Sequence, residues 1–141
     1  MGKKVKKTDA EWKKILPKEV YKSLRKKETE IPFTGKYNNL KEEGIYYCAG
    51  CGTPLFHSKT KYDSGTGWPA FYKPMDEHII EEVLDKSLGI IRTEILCSVC
   101  GGHLGHVFND GPPPTGLRYC VNSVSLEFKR TSEESKKEEE D

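Results

Sequence analysis

The five cysteines of this chain fall into two kinds. Four come as C-x-x-C pairs, Cys48/Cys51 in "CAGC" and Cys97/Cys100 in "CSVC", while the fifth, Cys120, stands alone in "RYCVNS". Two cysteines separated by two residues at a tight turn can aim both sulfurs at one centre. Two such knuckles complete a tetrahedron of thiolates of the kind that holds structural zinc. Gly50, Gly52, Gly101 and Gly102 flank the pairs, where a knuckle asks for positive φ or close backbone approach. The 45 residues between the pairs exceed the usual zinc-ribbon separation of about 15 to 20. Stretching the loop this far costs only about 0.8 kcal/mol, against roughly 10 to 16 kcal/mol from structural zinc, so the metal wins. A redox pair of the thioredoxin kind would be single and would lead into a helix; here there are two, each running into strand-like residues.

His103 and His106 in "CSVCGGHLGH" offer a competing two-Cys, two-His ligand set. Four thiolates already close the coordination sphere, which leaves the histidines for other work. Their spacing would suit one face of a helix, but Gly101, Gly102 and Gly105 argue against a helix there. Taken alone, either ring reads as a hydrogen-bonded structural histidine.

Cys120 lies in a strand-like segment, where alternate residues share a face. Arg118, Cys120 and Asn122 then project together, with Leu117, Tyr119 and Val121 packed behind. Beyond them the apolar residues change parity to Val124, Leu126 and Phe128, which predicts a bulge or a switch of sheet just after Cys120. A free cysteine is ordinarily an inert core residue, but this one shares its face with polar neighbours. A guanidinium lowers a nearby thiol from its usual pKa of about 8.5, so Arg118 is expected to favour the thiolate. Asn122 could donate to an oxygen gaining negative charge, and a histidine could supply a proton. The chemistry is thiolate attack on a soft electrophile, and these residues alone do not separate an acyl carbon, a peroxide oxygen and an oxidised sulfur.

The elements that must position these groups are short. Thr8 and Glu11 fit a capping box ahead of "DAEWKKIL", with Trp12, Ile15 and Leu16 on one side. Pro17 interrupts that helix and "KEVYKSLRKK" starts a second, with Val20, Tyr21 and Leu24 inward. From Gly44 the pattern becomes strand-like, through "GIYYC" and "TPLFHSK" to the Gly- and Pro-rich "YDSGTGWPAFYKP". "HIIEEVL" and "GIIRTEIL" read as a hairpin joined by "DKS", with Gly89 close to the turn. "NDGPPPTG" is a loop, and "LRYCVNSVSLEF" closes the domain. The reading is two small helices clasping an antiparallel β domain.

Composition bounds the rest. With 23 basic and 22 acidic side chains the net charge is +1, which argues against nucleic acid or acidic membranes as the main partner. No apolar run approaches the roughly 18 residues of a membrane helix, "MGKKVKK" lacks the apolar stretch of a signal peptide, and Lys6 stands where a myristoylation motif wants Ser or Thr. A cytoplasmic location is therefore expected, where five cysteines would not form a disulfide framework. The expected layout is a flexible basic start at 1–7, one domain at 8–129 and a charged, acidic tail at 130–141, with a monomer as the default.

Taken together, "CAGCGTPLF", "KYDSGTGWPAFY", "CSVCGGHLGHVFNDGP" and "GLRYCVNSVSLEF" resemble the B-type peptide methionine-(R)-sulfoxide reductases, and "TDAEWKKIL" and "IPFTGKY" extend the resemblance over about residues 8 to 129. The resemblance implies an Mss4-like, mainly β fold with one structural zinc on Cys48, Cys51, Cys97 and Cys100. It also implies Cys120 as the nucleophile toward a methionine-R-sulfoxide residue in oxidised proteins or peptides, left as a sulfenic acid. His103, His106 and Asn122 match positions that bind and polarise the sulfoxide oxygen, Arg118 assists the thiolate, and Trp68 packs on the substrate methyl. A bland reading of Trp68 is a core aromatic, but the loop of Gly65, Gly67 and Pro69 presents it. Phe108, Asp110 and Gly111 are expected to shape the pocket, although a Phe in an alternating strand reads equally well as core.

One departure matters. Many of these relatives carry a resolving cysteine before "GWP", where this chain has Thr66. With the other four cysteines on zinc, the expectation is a one-cysteine cycle in which thioredoxin or another external thiol recycles Cys120. Two rivals remain at this stage: a zinc-ribbon module that only binds a partner, and a thiol peroxidase or sensor built on Cys120.

Overall fold

The computed structural model describes residues 6–86 and 89–131. The expected tails, apart from residues 6, 7, 130 and 131, lie outside the described residues. Thr8 starts the first helix, α1 (Asp9–Ile15), through reciprocal bonds: Glu11 N–H donates to Thr8 Oγ1 at 3.2 Å and Thr8 N–H to Glu11 Oε1 at 2.8 Å. These satisfy donors that a helix start leaves without partners. Leu16 is extended, because the ring of Pro17 bars the residue before it from helical geometry, and α2 (Lys18–Lys26) restarts from that proline. Trp12 is buried and Leu16 packs on the core, but Ile15, expected beside them, is 59% exposed. A seven-residue helix meets the core along one edge, and the i and i+4 positions take it.

Nine strands follow among the described residues: β1 (Gly44–Cys48), β2 (Pro54–His57), β3 (Lys61–Tyr62), β4 (Ala70–Phe71), β5 (Ile80–Asp85), β6 (Arg92–Cys97), β7 (His103–Phe108), β8 (Arg118–Val121) and β9 (Leu126–Arg130). They form two antiparallel sheets, in the orders β2-β1-β9 and β3-β4-β8-β7-β6-β5. One buried cluster draws on both sheets and on Trp12, Tyr21 and Leu24 of the helices. Phe56 stacks on Phe71 at 4.4 Å and Tyr46 meets Phe71 edge-on at 5.0 Å. Each such side chain taken from water contributes about 1.5–3 kcal/mol, so the aromatic centre holds the two sheets together. The mainly β architecture with short leading helices is the one expected. No helix among the described residues is long and apolar enough to cross a membrane.

Two irregularities set up the site. The parity change after Cys120 is a switch of sheet: β8 belongs to the larger sheet, a 3-10 turn follows at Ser123–Ser125, and β9 joins β1 in the smaller one. The second is a bulge in β7, where Ile95 pairs with Gly105 and Leu96 with His103, leaving Leu104 as an extra residue. The hairpin of β5 and β6 forms in register from Ile80↔Cys97 to Asp85↔Arg92, but its connection spans 86–91 and is longer than "DKS". Ile90 and Ile91 fall outside the strand and are exposed. Residues 87 and 88 are not described.

Candidate active site

Residues three apart in a regular strand face opposite ways. The Leu104 bulge cancels that rule, so His103 and His106 share a face with ring centroids 5.6 Å apart. Direct pairing then carries the face across the sheet, from Glu94 to His106, from His106 to Cys120 and from Cys120 to Ala70. Arg118 and Phe108, opposite each other in β8 and β7, lie on it too. The arrangement depends on close approach at Gly105, where a Cβ would stand 1.9 Å from the Cys120 carbonyl oxygen.

Above this face is a cavity of about 240 Å³. Cys120, His103, His106, Arg118, Asn122, Trp68 and Phe108 line it, so seven of the eight expected catalytic and substrate-binding residues converge. The eighth, Asp110, does not line the cavity. It is exposed and accepts two bonds from Arg118, at 2.9 Å from Nε and 3.1 Å from an Nη. Phe108 lies under the Arg118 guanidinium at 4.3 Å, so it serves the pocket wall. Gly111 acts through the backbone, since a Cβ there would meet the Leu117 carbonyl oxygen at 2.0 Å.

Burial pushes the Cys120 thiol up to about 11. Arg118 pulls the other way, with a smaller contribution from a hydrogen bond to the Thr66 hydroxyl, while the Glu30 carboxylate adds to the rise. Arg118 favours the thiolate in the expected direction, but its charge is shared with Asp110, and desolvation of the sulfur is the larger effect. At neutral pH the resting sulfur keeps its proton.

Each histidine is backed by a carboxylate. His103 Nδ1 is 2.7 Å from Glu94 Oε2, and both residues are buried. Glu94 Oε1 is 2.9 Å from Lys27 Nζ, which balances the buried charge. Burial lowers the pKa of His103, and the bond to Glu94 opposes that only in part. The neutral ring therefore donates from Nδ1 to the carboxylate and keeps a lone pair on Nε2. His106 Nε2 is 2.8 Å from Asp85 Oδ2, which also accepts from Arg92 at 3.2 Å.

Asn122 is busier than expected. Its Nδ2 donates to Ser23 Oγ and to the Glu28 carbonyl, both at 3.0 Å, and its Oδ1 accepts from Glu30 N–H at 3.4 Å. Both amide hydrogens are engaged, so the side chain has no spare donor for a developing oxyanion and instead ties down the segment after α2. Trp68 belongs to the same arrangement, half-buried, with its indole N–H donating to the Glu30 carbonyl at 3.0 Å.

Sequence reasoning missed Glu94, Asp85, Lys27 and Arg92. The readable signal was Glu94, an acid in the middle of "RTEILC", a position a half-buried strand would not give to an unpaired charge.

The four remaining cysteines meet at the edge of the core. All four sulfurs of Cys48, Cys51, Cys97 and Cys100 lie within 4.8 Å of one another. Cys48 and Cys100 are 3.7 Å apart, and Cys51 and Cys97 3.6 Å. A tetrahedron with metal–sulfur bonds of about 2.3 Å has edges of about 3.8 Å, so the donors fit one metal ion. His103 points its Nδ1 to Glu94 and is not among this group. The hydrogen bond to Cys100 pushes the Cys48 thiol well up, and the same network pulls Cys51 down.

Comparison with known proteins fits this geometry. The SelR domain matches residues 16–130. Three curated proteins called peptide methionine sulfoxide reductase MsrB are similar over almost the whole chain. The one from Hahella chejuensis is 57% identical, covering 97% of this chain and 99% of its own length. That from Leptospira interrogans is 56% identical, covering 92% and 99%. That from Herminiimonas arsenicoxydans is 54% identical, covering 93% and 96%. On its sequence, and with a cysteine, two histidines and a tryptophan around one cavity and a separate four-sulfur cluster, the chain belongs to the SelR domain family of B-type peptide methionine sulfoxide reductases.

Proposed function

We propose that this protein reduces methionine-R-sulfoxide residues of oxidised proteins and peptides to methionine, with Cys120 as nucleophile. The observation that carries the reading is a lone cysteine in a cavity shared with Trp68 and two carboxylate-backed histidines. The Trp68 indole offers an apolar face to the substrate methyl group. Cys120 sulfur attacks the sulfoxide sulfur while its proton passes, by way of His103, to the sulfoxide oxygen. The substrate S–O bond then breaks as the oxygen bonds to Cys120 sulfur and the transient sulfur–sulfur bond of the attack is released, so thiol plus sulfoxide become sulfenic acid plus thioether and every atom is accounted for. A neutral His103 with Nε2 unprotonated suits that relay. Arg118 stabilises the thiolate as it forms, His106 orients the oxygen, and Asp110 acts only through Arg118.

Cys48, Cys51, Cys97 and Cys100 would hold one zinc ion, which when bound supplies a structural cross-link. Thr66 lies within hydrogen-bonding reach of Cys120, but a hydroxyl cannot exchange with a sulfenic acid to give a disulfide. Two external thiols, from thioredoxin or a similar reductant, therefore return Cys120 to the thiol and leave a disulfide and water. The setting that fits is a cytoplasmic monomer engaged in protein repair, with no nucleic-acid or membrane partner.

The test is single-turnover reduction of a peptide carrying resolved R- or S-methionine sulfoxide, followed by a thiol count. One methionine per enzyme from the R epimer alone, with one thiol lost and no disulfide, is expected. A disulfide between Cys120 and another cysteine would end the one-cysteine cycle, and no product from either epimer would leave a metal-stapled binding module.

A further inference from the structure

The segment between α2 and β1 forms a strap held by two residues of the catalytic cavity. Asn122 bonds it at Glu28 and Glu30, and the Trp68 indole donates to the Glu30 carbonyl. Its tip is the tight turn Ile31–Thr34, closed by Thr34 N–H to the Ile31 carbonyl at 3.2 Å, with Pro32 second and Phe33 third. Phe33 has φ +69°, a left-handed conformation that turns of this kind give to glycine or asparagine. Phe33 is nevertheless 67% exposed and Ile31 71% exposed. The Phe33 ring touches Gly67, yet both side chains stay mostly in water, which is the pattern of a conformation kept for a partner.

The turn is pressed onto the loop that carries Trp68. Phe33 N–H donates to the Gly67 carbonyl at 2.7 Å, and a Cβ on Gly67 would stand 2.7 Å from Pro32 and 2.9 Å from Phe33. Two residues before the turn, Thr29 lines the cavity itself. An apolar edge thus continues outward from the Trp68 wall.

We infer that the Ile31–Thr34 turn is a docking lip for the substrate chain, receiving a bulky apolar side chain next to the methionine sulfoxide of an extended peptide. The inference rests on the proposed sulfoxide reductase reading. Its occupant follows from continuity: with the sulfoxide side chain in the cavity against Trp68, the peptide backbone runs at the mouth, and neighbouring residues at about 3.3 Å per residue come within reach of the turn.

The test uses single-turnover kinetics without external reductant on two R-sulfoxide peptides that differ only in the flanking residues, leucine on both sides or serine on both sides. Phe33→Asn removes the ring while keeping a residue that accepts positive φ, and Ile31→Ser is the second variant. The wild type is expected to half-saturate at lower concentration with the leucine-flanked peptide, and each variant to shrink that preference about fivefold. A preference unchanged in both variants overturns the lip. So does a fall in maximal rate equal for the two peptides, which would make the turn a brace for Trp68. An effect confined to the steady-state dependence on thioredoxin would make it a reductant site and equally overturn the proposal. No product from the wild type with either peptide would fail the underlying activity instead.

Discussion

The molecule treats sulfur in two ways at two sites. In the knuckle cluster four sulfurs lie within 4.8 Å of one another, two pairs of them at 3.6 and 3.7 Å. At Cys120 a single sulfur is surrounded by rings, amides and a guanidinium, and burial keeps its proton on. Crowding makes the first site a demand for metal, whereas isolation lets the second serve the proposed reaction as a nucleophile that ionises only as it is used. The same residue type is thus structural or reactive according to how many of its kind share the space.

The largest test exchanges the two roles. Cys97→Ser removes one of four sulfurs placed to hold a single metal ion, and structural zinc contributes roughly 10 to 16 kcal/mol, comparable with the whole stability of a domain. It is expected to lose zinc, measured per chain by elemental analysis, and to lose the cooperative thermal transition. Cys120→Ser should keep one zinc per chain and its melting temperature while sulfoxide reduction falls about a thousandfold or more. If Cys120→Ser also lost metal, the two sulfur sites would not be separate.

Gly105→Ala tests the frame between them. The added methyl meets the Cys120 carbonyl at 1.9 Å, a backbone atom that cannot swing aside, so β7 and β8 must part. Overpacking of this kind costs about 1–3 kcal/mol, read as a lower denaturation midpoint, and the cysteine moves with its strand. A variant as stable and active as the wild type would show that the β7–β8 approach is not what sets the site.

How much of this was legible depends on sequence distance. The cluster follows from C-x-x-C spacing, which is local, and the face of Arg118, Cys120 and Asn122 follows from alternation within one strand. The shared face of His103 and His106 was not legible, because the bulge at Leu104 is decided by register against Ile95 and Leu96 of another strand. Glu94, Asp85 and Lys27 reach the histidines only once α2, β5 and β6 are assembled. Asn122 could be assigned to the pocket by periodicity, but its commitment to Ser23 and Glu28, about a hundred residues earlier in the chain, could not be read from one strand.

A smaller effect is expected from Glu94→Gln, which keeps the shape but removes the charge behind His103. Glu94 raises the His103 pKa against the lowering by burial, so the amide should lower it further. If neutral His103 relays the proton, the acid limb of the single-turnover rate moves to lower pH. The plateau falls about tenfold as the acceptor behind the ring loses its charge. A plateau loss with an unmoved acid limb would mean that Glu94 only packs, and that another group sets the limb.

The smallest expected effect separates burial from charge at Cys120 itself. With the thiol pushed up to about 11, its alkylation by iodoacetamide should be slow at neutral pH. The rate should climb tenfold per pH unit until the pH passes that value, followed by mass spectrometry of the Cys120 peptide. Asp110→Asn releases the guanidinium of Arg118 from its two bonds, so the variant's profile should move to lower pH by less than burial has raised it. The direction follows because a freer cation favours the thiolate. A wild-type profile that levels off near pH 8.5, the range of an ordinary thiol, would mean that Arg118 already outweighs desolvation, and the contrast between a metal-demanding cluster and a proton-holding nucleophile would lose its electrostatic basis.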